Sequence, residues 1–175
     1  MLRLTKRETF KLNKNIRVDK TINKIADGIV KSIKDGIEKT STDINGSGFA
    51  KLSPNTIASK KMRGLSYPKK PLYAEGKMKE VYVKTRAIPT KKLAIVSVNK
   101  RDRKIPSAVH NTGVGSYTIK PKKKKMLSFY TTEGWANAKE VKHTGQKKRE
   151  WFGIGKVQVE LASKIAQADI KKALM

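Results

Sequence analysis

The stretch Asp43-Ile-Asn-Gly-Ser-Gly48 decides how the chain is read. Oxygen-bearing side chains at its first, third and fifth positions and a glycine at its sixth match the first half of an EF-hand calcium loop. Counting on from Asp43, the ninth position is Lys51 and the twelfth is Pro54. A lysine repels the ion, and a proline has no carboxylate to close the site. The stretch is therefore a turn, with Asn45-Gly46 and Ser47-Gly48 supplying the positive-φ positions of a chain reversal.

Upstream of the turn, Ile22, Ile25, Ala26, Ile29, Val30, Ile33 and Ile37 recur at helical spacing, with Asp19 as the expected N-cap. Lys24, Asp27, Lys31, Lys34, Asp35 and Glu38 occupy the other face. Downstream, Ser53 is placed to cap a short helix with Pro54 in its first turn and Gly64 closing it. A long loop follows at about 65–78. Strands are expected at Val81–Val83, Leu93–Val98, Tyr117–Ile119, Met126–Tyr130 and Trp135–Val141, and a last helix over about Lys156–Leu174. Tyr117–Ile119 and Met126–Tyr130 flank Pro121-Lys-Lys-Lys-Lys125 and predict a hairpin at about 117–130 with a charged tip. The order predicts an α+β fold: an antiparallel or mixed β-sheet with two long helices packed on one face, as a single domain over 18–175, preceded by a basic N-terminal arm over 1–17.

The formal charge of +27 on 175 residues calls for an anionic partner: nucleic acid, an acidic protein surface or anionic lipid. Residues 21–50 carry no net charge, so the excess lies outside the first helix. No cysteine is present, which removes thiol chemistry and disulfides. No apolar run is long enough for a membrane span, and the expected site of synthesis is the cytoplasm. Paired carboxylates, a Walker loop and a dinucleotide fingerprint are not evident, and His110 and His143 read as turn histidines. The expectation is no enzyme, no catalytic residue, no cofactor and no metal. Tyr117, Phe129, Tyr130 and Trp135 interleave with lysines; exposed, they could stack on bases, but the reading adopted is sheet core with lysines outside. Trp151 and Phe152 are expected to anchor the last helix to the sheet.

Asp43-Ile-Asn-Gly46, Phe49, Leu52-Ser-Pro-Asn-Thr-Ile57, Lys60, Pro71-Leu72 and Gly76-Lys-Met78 are followed in order by Ala108-Val-His110, Gly113, Tyr117–Phe129, Gly134 and Val141–Gly153. Together they resemble the pattern of tailed-bacteriophage virion morphogenesis proteins of the tail-completion kind, which join head to tail at the neck. The resemblance covers roughly residues 20 to 175; Thr144 stands where that pattern often has proline, and residues 1–17 have no counterpart in it. It implies a structural virion protein, assembled in the host cytoplasm as a homo-oligomeric ring, commonly a hexamer, between the head connector and the tail tube. Implied partners are further copies of the chain, acidic neighbouring neck, connector or tail-tube proteins, and packaged DNA; a nucleic-acid-binding structural protein is the competing class. Lys122, Lys123, Lys124 and Lys125, with Lys147, Lys148 and Arg149, are expected to contact an acidic neighbour, because a projecting tip reaches across a subunit boundary and a sliding genome favours weak contacts.

Calcium titration by calorimetry is expected to show no binding tighter than about millimolar. A tighter affinity abolished by Asp43→Ala would overturn the turn reading.

Overall fold

Helix α1 (Val18–Asp35) forms where the isoleucine spacing predicts it, and the computed structural model describes residues 17–73, 80–98 and 107–174. Residues 1–16 of the expected arm and 74–79 of the expected loop lie outside the described residues. The helix begins one residue before the expected cap. Arg17 is the N-cap, and Asp19 sits in the first turn, accepting from Arg17 Nε and Nη2 at 3.0 Å each. The carboxylate still faces the positive end of the helix dipole.

At its end α1 widens into a π-helical turn, Gly36–Thr40, which periodicity does not predict. The Gly36 carbonyl accepts from Thr42 N at 3.0 Å, and a Cβ on Gly36 would lie 2.9 Å from the Thr42 carbonyl oxygen. Only glycine lets the chain fold back so closely. Ser41, in the left-handed conformation at φ 54°, completes the reversal. Helix α2 (Pro54–Met62) starts as expected, with Ser53 Oγ accepting from Thr56 N at 3.3 Å, and Gly64 follows it at φ 67°.

The remaining elements are β1 (Val81–Thr85), β2 (Ile95–Val98), α3 (Ser107–Thr112), β3 (Tyr117–Ile119), β4 (Leu127–Thr131), β5 (Gly134–Ala138), β6 (Val141–His143) and α4 (Lys156–Leu174). Among the described residues the single sheet expected from the sequence is replaced by three two-stranded antiparallel ladders, β1–β2, β3–β6 and β4–β5. The expected hairpin over 117–130 is likewise corrected. β3 pairs with β6 and β4 pairs with β5, so the true hairpin turn is Thr132-Glu133. Four consecutive lysines repel one another in a tight tip, whereas Gly134 at φ 113° and Thr131 Oγ1, accepting from Glu133 N at 3.2 Å, build a compact one.

The core joins α1 to the β1–β2 ladder. Ile33, Ile37, Phe49, Val81 and Trp151 are buried together, with Ile29, Val30, Val96, Val98 and Phe152 packed against them. Asn23 ties α1 to the segment that follows β1: its amide donates to the Ala87 carbonyl at 2.9 Å and accepts from Ala87 N at 2.8 Å. Helix α4 lies along α1, where Gly28 faces Leu161 and Ile165 and Thr21 donates to Asp169 at 2.7 Å.

Trp151 is 2 % exposed, at the centre of the cluster. Its replacement removes a large apolar volume from the centre of the cluster. Trp151→Ala is expected to cost about 3 kcal/mol, read as a lowered denaturation midpoint; an unchanged midpoint would show that the cluster does not depend on the indole.

Candidate functional site

The Asp43–Gly48 turn is a seat for the start of α4. Asp43 Oδ1 accepts from Asn45 N at 2.8 Å and from Ser47 N at 2.9 Å, so the carboxylate organises its own loop. Ile44 N donates to the Glu150 carbonyl at 2.9 Å, and Val157 N donates to the Ile44 carbonyl at 3.2 Å. Asn45 Oδ1 accepts from Lys156 N at 3.3 Å, at the start of α4 where backbone N–H groups lack helical partners. Among the described residues no group of three or more His, Asp or Glu is placed to hold a metal ion.

The cations divide into two populations. Lys60 is buried, with Nζ donating to the carbonyls of Lys70 and Tyr73 at 2.7 Å each. Burial pulls its pKa below the ordinary lysine value, and the two carbonyls supply the hydrogen bonds a buried ammonium needs. Lys70 in turn donates to the Glu38 carbonyl and lies over the Tyr67 ring, 4.8 Å from its centroid. Arg149, expected at a partner surface, is buried instead: Nε donates to the Ala50 carbonyl at 3.0 Å and Nη2 to that of Lys51 at 3.3 Å. Its planar donor set matches carbonyls of a loop that has no strand partner, which is why it lies inside. Of the expected contact residues, Lys147 and Lys148 remain exposed, with Lys148 paired to Glu150.

Lys122, Lys123, Lys124 and Lys125 are all exposed, but on a bulge and not at a tip. Between the pairs Ile119↔Val141 and Leu127↔Ala138, one strand passes through Lys120–Met126 while the other needs only Lys139 and Glu140. β3–β6 and β4–β5 are separate ladders that follow one another along the same two segments of chain, together called the ribbon below, with the lysine run between them and Lys120 Nζ paired to Glu140 at 3.4 Å. Over 117–143 seven lysines face two glutamates, Glu133 and Glu140.

The aromatic residues of this ribbon depart from the core expected for them. Trp135 is 68 % exposed and Tyr117 48 % exposed, while Phe129 and Tyr130 are half-buried. Trp135 meets Tyr130 edge to face, with ring centres 5.7 Å apart and planes at 83°. Tyr117 stacks on His143 at 4.9 Å and 26°, across the Tyr117↔His143 pair. Beside Tyr130 runs an open groove of about 490 Å³ lined by Pro54, Ile57, Ala58, Lys61, Met62 and Thr132. Alternation alone does not foresee this exposure; only the pairing of β4 with β5, opposite α2, decides it.

No protein-family model, curated protein or solved structure matches the chain.

His110 contacts the side-chain amide of Gln146, and its carbonyl accepts from Arg149 N at 2.8 Å. Burial, and then the Arg149 cation, hold its imidazole below the ordinary value. The folded chain therefore resists a proton that the unfolded chain accepts near pH ~6.5, and the unfolded state binds more protons in that window. Stability should be full above about pH 6.5 and fall as the pH drops through that value. His110→Gln should flatten this part of a denaturation-midpoint curve; an equally steep fall in the variant would assign the slope to other groups.

Proposed function

We propose that the chain is a structural virion protein of a tailed phage, one copy of a ring at the head–tail junction that joins the head connector to the tail. The observation that carries this reading is the convergence of the segments bearing the family-like pattern. Asp43–Asn45 holds Glu150 and Lys156, the His110 carbonyl holds Arg149, and Asn111 Oδ1 accepts from Phe152 N at 3.1 Å. Gly113 lies against the Gln146–Lys148 backbone, where an added Cβ would come within 3.0 Å of both Gln146 O and Lys148 N. Residues of the pattern that hold each other's backbones suit a scaffold, with exposed surface left for partners.

Self-association has a surface to use. Val159, Ile170 and Leu174 are exposed on α4, and their spacing puts them on one stripe of the helix. Acidic neck, connector or tail-tube neighbours and packaged DNA suit the net charge of +27. A second reading, a basic nucleic-acid-binding structural protein, is favoured by the exposed Trp135 and Tyr117.

Imaging of particles carrying this chain with a label is the direct test. The label is expected as a ring at the neck, and Ile170→Lys with Leu174→Lys should leave the chain folded but absent from that ring. A label distributed inside the head or along the tail would overturn the reading.

A further inference from the structure

We propose that the β3–β6/β4–β5 ribbon is a binding strip for single-stranded nucleic acid, with Trp135 and Tyr117 as base-stacking platforms and Lys122–Lys125 as the phosphate contact. This goes beyond the ring proposal and stands whether or not the chain forms one.

Two independent observations meet on the ribbon. The first is flat aromatic surface in water. An indole with 68 % of its surface exposed is unusual for the residue that contributes most to a core, and its edge-to-face contact with Tyr130 occupies at most one face of either ring. The Tyr117–His143 stack likewise covers one face of the tyrosine ring, and Tyr117 is still 48 % exposed. The second is charge. The lysine run leaves the ladder between the two aromatic pairs, and Glu140 is already engaged by Lys120, so only Glu133 at the hairpin turn opposes it.

These features select the occupant. A polyanion is required by the lysines, and a row of separate flat rings on it is required by the aromatic faces. In a duplex the bases stack on one another and offer only their edges, so the exposed faces of Trp135 and Tyr117 would go unused. An acidic protein surface would satisfy the lysines and leave the rings without partners of their own kind.

The test uses the full chain with three probes: a short oligothymidylate, a duplex of the same length, and polyglutamate of comparable charge. Two tryptophans report separately, since Trp151 is buried and Trp135 is exposed. Oligothymidylate is expected to bind best and to quench the solvent-exposed part of the tryptophan emission. Trp135→Ala should weaken it roughly ten-fold with an unchanged thermal midpoint. Lys122→Glu with Lys124→Glu should lower the slope of log affinity against log salt by about 1.4, from roughly 0.7 for each of two phosphates. Equal affinity in Trp135→Ala would remove the stacking platform and sink the proposal. Duplex bound at least as tightly, with tryptophan emission unmoved, would replace it by contacts to phosphate alone; preference for polyglutamate would hand the ribbon to an acidic protein.

Discussion

The whole arrangement depends on how closely the Asp43–Gly48 turn meets the segment that starts α4. A Cβ on Gly155 would lie 2.5 Å from the Ile44 carbonyl oxygen and 2.7 Å from Asn45 Oδ1, so only glycine can occupy that position. Contact at this distance lets Ile44 exchange hydrogen bonds with Glu150 and Val157. It also sets Trp151, between those two residues, into the cluster formed by Ile33, Ile37, Phe49 and Val81. From this one junction α4 departs along α1, and Gln158, buried at its first turn, donates to Ser32 Oγ at 3.3 Å while accepting from Gly155 N at 3.1 Å. Turn, tryptophan and helix are therefore one cooperative unit: loosening the turn would withdraw the acceptors that start the helix and the backbone that holds the indole.

Two cations of this chain lie inside it, Lys60 and Arg149. Both give their donors to backbone carbonyls of loops: Lys60 to Lys70 and Tyr73, Arg149 to Ala50 and Lys51. The desolvation cost of a buried cation is large, and it is offset here by charge-assisted hydrogen bonds and not by carboxylates. The acidic residues are used elsewhere, at the helix surfaces: Asp27 takes both Arg86 Nη groups, and Asp169 takes Lys24 and Thr21. Such exposed pairs contribute little to stability, but they fix how α1 meets its neighbours. Lys122, Lys123, Lys124 and Lys125 are among the described cations that stay exposed and are left for partners.

The ribbon also shows why a basic run between two apolar segments does not make a hairpin. Pairing β3 directly to β4 would crowd Lys122–Lys125 into a tight turn; pairing β4 to β5 through Thr132-Glu133 places a small acidic loop there instead. The lysines are then expelled sideways, and the ladder resumes beyond them with β3 and β6.

The sequence by itself determined the elements whose signals are local. The isoleucine spacing of α1, the Ser53-Pro54 start of α2, the span Lys156–Leu174 of α4 and the turn at Asp43–Gly48 each rest on a few neighbouring residues, and each is found in the structure. Tertiary structure alone decided what depends on distant partners: the π-helical turn, which needs Thr42 folded back on Gly36; the three separate ladders; the burial of Arg149 under Ala50 and Lys51; and the exposure of Trp135. A lysine, an arginine or an aromatic residue carries no local mark of its side of the molecule. Its environment is set by which strand arrives beside it, and strand pairing is a choice among long-range contacts that periodicity does not encode.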